Sequence, residues 1–134
     1  YMMFVQIQND INWQNQTRDL SFADLNGADL TGADLRYANL DYADLSYANL
    51  RYADLTGAIL DYADLRYAWM DYADLTGADL YDAYLSHTNL SHADLTDANL
   101  AGLNIDLSSV HWSNTICPDG TNSDDNGNTC ENNL

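Results

Sequence analysis

Lysine is absent from this chain of 134 residues, and Arg18, Arg36, Arg51 and Arg66 stand alone as strong bases against 21 acids. A formal net charge of −17 disfavours contact with a phosphate backbone, whose affinity comes from cationic side chains, so no direct nucleic-acid binding is expected. No stretch approaches the ~20 apolar residues of a membrane-crossing helix, so no membrane insertion is expected either. No nucleophile elbow, phosphate loop, zinc-binding helix motif or paired acid and base in a cleft can be found, which argues against an enzyme. Cysteine occurs only at Cys117 and Cys130. With Pro118-Asp119-Gly120 and Asn126-Gly127 as turn signals between them, the two are expected to close a short disulfide loop.

The chain is rich in one pattern. Leucine recurs at every fifth position from Leu20 through Leu100, with Met70 the exception, and Ile105 and Val110 extend the series in degenerate form. Two residues before each comes Ala, from Ala23 to Ala98, with Thr88 the substitute. A helix would smear this period around its circumference, because each step of five advances the apolar position by ~140°. A flat strand fails because Ala and Leu share a face but the next Ala, three residues on, points the other way. The chain must turn a corner in every repeat, and Gly27, Gly32, Gly57 and Gly77 suit such corners. Short sides with Leu always inward make an all-β solenoid.

A second period sets the number of sides. Residues 41–60 match residues 61–80 at 15 of 20 positions, whereas shifts of 5, 10 or 15 give 10, 11 and 10. Four pentapeptides per coil follow, each residue stacking on the one twenty later. Leu25, Leu45, Leu65 and Leu85 then form one inner column, and Ala beside Leu leaves no interior room for a cofactor.

Repeats such as ADLTG, ADLRY, ANLDY and ADLSY resemble the pentapeptide repeat family over residues 18 to about 116. That resemblance implies a right-handed quadrilateral β-helix, here of about four to five coils with terminal caps. Residues 1–17, with Met2, Met3, Phe4, Val5, Ile7, Ile11 and Trp13, are expected to cap the first coil, Phe4 to Ile7 as a short extended piece. Residues 18–116 form the β-helix and 117–134 a disulfide-closed tail, with Trp112 beginning to cover the open end. The Cys-bracketed tail resembles exported cyanobacterial members. With a chain beginning at Tyr1, the expectation is a mature protein of the periplasm or thylakoid lumen rather than the cytoplasm.

The outer positions hold the functional candidates. Trp69, Ile59 and Tyr84 stand where Asp or Asn is usual, and Ile59 and Trp69 should lie on opposite sides. Tyr42 with Tyr62, Tyr47 with Tyr67, and Tyr52 with Tyr72 should stack coil on coil. Asp34, Asp54, Asp74 and Asp94 form an acidic column that either caps turn backbone or imitates a phosphate backbone. His87, His92 and His111 are read as surface residues, not metal ligands. Asn122, Asp124, Asn126 and Gly127 imitate the start of a calcium loop, but its twelfth position is Asn133, which favours a polar turn.

The leading expectation is a rigid protein-interaction or scaffolding module of unknown partner, a monomer or end-to-end dimer. An anionic DNA-mimicking modulator of a DNA-binding protein such as gyrase is the alternative that the family resemblance implies. A calcium-binding tail is a third reading.

Overall fold

The computed structural model describes residues 18–102 and 107–130; the cap at 1–17 and Ile105 lie outside them. Parallel β-bridges join residues twenty apart, and they sort into four walls. Wall 1 carries Asp19, Asn39, Ile59, Asp79 and Asn99, and wall 2 carries Asp24, Asp44, Asp64 and Tyr84. Wall 3 carries Asp29, Asn49, Trp69, Asn89 and His111, and wall 4 carries Asp34, Asp54, Asp74, Asp94 and Ile116. Each bridged residue donates to the turn before it, as Asp54 N–H does to the Ala33 carbonyl at 2.9 Å. The following Leu donates to the turn after it, as Leu55 N–H does to the Asp74 carbonyl at 2.7 Å. Stacking thus satisfies backbone groups that a lone five-residue side could not pair.

At each corner the Leu carbonyl accepts from the Ala three residues on, as in Ala43 N–H to Leu40 at 3.0 Å. The second central residue has positive φ, which makes a type II turn. Glycine was the expected occupant, yet tyrosine holds seven of these sites, including Tyr42 at 56° and Tyr47 at 59°. A side chain in that conformation costs ~1–2 kcal/mol. The cost is offset locally: rings stack along the solenoid axis, and the Asp or Asn side chain closes the corner from outside. At the Tyr47 corner, Asp44 Oδ1 accepts from both the Ser46 N–H at 3.0 Å and the Ser46 hydroxyl. Such caps recur around the walls, so the acidic slots serve turn chemistry wherever else they serve.

The interior is solid side chain. Leu30 through Leu85 and Met70 are fully buried, with Ala beside them. Thr88 takes an Ala slot because its hydroxyl reaches the Leu65 carbonyl at 2.8 Å, removing the penalty of a buried unpaired polar group.

The rhythm breaks after Leu100. His111 pairs with Asn89 and Ile116 with Asp94, a step of twenty-two residues. Val110 therefore does not continue the Leu series. It takes the Ala slot, its N–H bonded to the Leu107 carbonyl, and Trp112, 3% exposed, takes the Leu slot. Two extra residues shift the register by that amount.

Residues 107–130 then close this end of the core. Ile116 pairs antiparallel with Asn122, short 3-10 turns run over Leu107–Ser109 and Ser123–Asn126, and Cys117 and Cys130 form a disulfide. Both cysteines are buried in the core cluster with Leu107, Val110 and Trp112. Among the described residues no helix is long and apolar enough to cross a membrane.

Candidate interaction surface

A filled interior leaves chemistry to the walls and ends, and the four walls differ. Wall 4 is the acidic column, but one end of it is neutralised. Asp34 accepts from Arg18 at 2.9 Å and Arg36 at 2.7 Å. Hydrogen bonds from Arg36 and then Arg18 hold its carboxyl well below the usual range. Arg36 also lies 3.6 Å from Asp54. Asp74 and Asp94 instead accept from the backbone of Thr76 and Thr96. Wall 2 repeats the theme, with Arg66 on Asp64 at 2.6 Å.

A second acidic group lies between walls 1 and 2, and columns of residues twenty apart reveal only part of it. Asp41 and Asp61 follow wall 1 in successive turns, and Asp79 of wall 1 meets them from the next. One carboxylate oxygen of Asp41 and one of Asp61 are buried without a hydrogen-bond partner. Burial, then the charges of Asp79 and Asp41, pushes the Asp61 carboxyl up to about 6.

Wall 3 is different in kind. Its middle reads Asn49, Trp69, Asn89, with no acid in these bridged positions. Trp69 is 51% exposed, and the Arg51 guanidinium lies over its ring at 4.2 Å from the centroid. Arg51 is itself held by Asp71 at 2.8 Å, and the Asn89 amide reaches the same carboxylate at 3.4 Å. The ring is therefore fixed by a cation that a third side chain anchors, a contact that desolvation strengthens. Aromatic columns flank the wall on both sides. Tyr47, Tyr67 and His87 stack along one corner at 4.8–4.9 Å, and Tyr52, Tyr72 and His92 along the other at 4.6–5.0 Å.

The residues singled out from sequence thus fall on four walls. Trp69 is on wall 3, Ile59 on wall 1 and Tyr84 on wall 2, so the three apolar intrusions do not make one patch, and Ile59 and Trp69 face opposite ways as expected. Asp34, Asp54, Asp74 and Asp94 do come together. The tyrosine pairs stack as expected, and Tyr81 adds an edge-on contact to Tyr62 at 5.9 Å. The histidines end up around wall 3: His87 and His92 cap its two flanking columns, and His111 continues the wall itself. In the tail, Asn122 caps the Asp124 N–H at 2.9 Å and Asp124 accepts from the Asn114 N–H at 2.7 Å. Those oxygens serve the turn, and among the described residues no group of three or more His, Cys, Asp or Glu is arranged to hold a metal.

Comparison with known proteins agrees with this architecture. The sequence profile described as pentapeptide repeats matches residues 19–46, 38–77 and 73–114, with eight copies. HetL, a pentapeptide repeat protein involved in heterocyst differentiation regulation in the cyanobacterium Nostoc sp. strain PCC 7120, is 32% identical. The match covers 78% of this chain and 65% of HetL, with a TM-score of 0.37. A second Nostoc pentapeptide repeat protein is 31% identical over 81% of this chain and 92% of its own, with a TM-score of 0.38. QnrB1, a plasmid-mediated fluoroquinolone resistance protein, shares the fold at 20% identity and a TM-score of 0.51, over 72% of this chain and 56% of its own. The curated proteins include no match. By its repeats, its walls and these relatives, the chain belongs to the pentapeptide repeat family, whose fold is the right-handed quadrilateral β-helix.

Proposed function

We infer that the chain acts without catalysis, as a rigid post that binds a protein partner through wall 3. The observation that carries this reading is Trp69: a half-exposed ring, clamped by Arg51, on a wall of amides between two aromatic columns. Trp, Tyr and Arg are the side chains that dominate binding energy at protein interfaces. They are already ordered here by stacking and ion pairing, so little conformational entropy remains to be lost on docking. The buried disulfide favours an oxidising compartment, the periplasm or thylakoid lumen. Leu107, Val110, Trp112 and the two cysteines are buried over the C-terminal end of the core, which disfavours end-to-end association through that end.

The DNA-mimicking reading rests on wall 4 and is less well supported. Arg18 and Arg36 neutralise its Asp34 end, which leaves the anionic column shorter than its four carboxylates. Pull-down from periplasmic or lumenal extract separates the two. Partners held by the wild type and by Ile59→Ala but lost with Trp69→Ala support wall 3. Partners indifferent to Trp69 and lost with Asp74→Asn/Asp94→Asn place the activity on wall 4.

A further inference from the structure

The corner tyrosines are ordered more closely than a solubilising surface requires. In residues 38–57 three corners carry Tyr42, Tyr47 and Tyr52, and in residues 58–77 the same corners carry Tyr62, Tyr67 and Tyr72. Each pair lies face to face, with centroids at 4.8, 4.9 and 5.0 Å and planes within 6°, 4° and 10°. Exposure runs from 36% at Tyr62 to 62% at Tyr47, so every pair is open to a small oxidant. The neighbours along each column cannot couple in the same way. Phe22 precedes Tyr42, and His87 and His92 follow Tyr67 and Tyr72. Gly27 and Gly32 hold the corners before Tyr47 and Tyr52. Tyr81, edge-on to Tyr62 at 77°, does not present a parallel ring.

We propose that Tyr42–Tyr62, Tyr47–Tyr67 and Tyr52–Tyr72 are oxidative cross-linking sites, which join two successive turns covalently at three of their four corners. A one-electron oxidant, such as a haem peroxidase with hydrogen peroxide, removes one electron and the phenol proton from each ring. The two phenoxyl radicals couple through ortho carbons, and the hydrogen on each coupled carbon moves to its own phenol oxygen. Two phenols thus give one biphenol, and peroxide takes the two electrons and two protons to leave two waters. The ladder holds the backbones one strand spacing apart, ~4.8 Å, so rotation of exposed side chains brings ortho carbons together with no change in the solenoid. This inference is independent of any partner on wall 3.

Trypsin makes the pairs separable. Cleavage after Arg36, Arg51 and Arg66 puts Tyr42 and Tyr47 in 37–51, Tyr52 and Tyr62 in 52–66, and Tyr67 and Tyr72 in 67–134. The three cross-links therefore join three different pairs of peptides. The experiment treats dilute full-length protein with light, a ruthenium tris-bipyridine sensitiser and persulfate, which accepts the electrons and leaves as sulfate. The expected product is a monomer lighter by two hydrogens per link, with dityrosine fluorescence and all three joined pairs. Tyr67→Phe keeps a stacked ring, as Phe22 does on Tyr42, and should lose only the 37–51/67–134 pair. Tyr72→Phe should lose only 52–66/67–134; survival of that pair assigns the link to Tyr81 and overturns the third site. Links found only between chains, or oxidised tyrosines with no joined peptides from the monomer, overturn the proposal.

Discussion

Replacing Asp61 with asparagine should stabilise the protein at neutral pH and leave it unchanged in acid. Asp61 meets Asp79 and Asp41 with one oxygen buried and unpartnered, and its carboxyl is raised from 3.8 to about 6, first by burial and then by those charges. A carboxyl raised on folding binds its proton more tightly in the native state, so stability falls as pH rises across that interval. Above about 6 the ionised group opposes folding; below 3.8 it is protonated in both states and contributes nothing. The interval corresponds to ~3 kcal/mol at ~1.4 kcal/mol per unit of pH. The site is half-buried, and solvent screening reduces the usable part to ~1 kcal/mol. Asp34, lowered by Arg36 and Arg18, pulls the wild-type pH profile the opposite way. The quantity to measure is therefore the difference between variant and wild type, from urea melts at several pH values. Asp61→Asn should be more stable by ~1 kcal/mol at neutral pH, with the gap closing toward about pH 4. An equal gap at all pH values, or a less stable variant at neutral pH, refutes the account of this cluster.

Three further outcomes follow from the same geometry. Leu55→Ala empties a fully buried slot between Leu35 and Leu75 in the inner column, and should cost ~2–5 kcal/mol in a chemical melt. Cys117→Ala with Cys130→Ala opens a loop of separation 13 and should cost ~3 kcal/mol; hydrogen exchange should rise in residues 107–130 before the repeats, whose backbone is paired independently of the bridge. Trp69→Ala removes a half-exposed ring and its Arg51 contact, so the melt should move by less than ~1 kcal/mol, which makes loss of a partner interpretable as lost binding.

The walls were legible because two periods, five and twenty, are enough to fix which side chains point inward and which stack. Leu columns, tyrosine pairs, the Asp34–Asp94 column and the opposition of Ile59 to Trp69 all follow from counting. What counting missed depends on side-chain reach across the ladder. Arg51 lies over Trp69, and Asp79 meets Asp61, across an offset of eighteen residues rather than twenty. Tyr81 precedes its corner instead of occupying it, so its contact with Tyr62 is edge-on. Tyrosine at positive φ runs against local preference, and only the stack and the capped corner together account for it. The register change before Val110 was also hidden, since an apolar residue suits the Ala slot or the Leu slot equally well in sequence.

The most direct test of the architecture is a through-hydrogen-bond coupling experiment by nuclear magnetic resonance on labelled protein. The solenoid requires couplings from the amides of Asp44, Asp54, Asp64 and Asp74 to the carbonyls of Ala23, Ala33, Ala43 and Ala53, each pair 21 residues apart at 2.9–3.0 Å. Observing all four confirms the twenty-residue register on which every wall depends; couplings between residues four apart, as in a helix, contradict it.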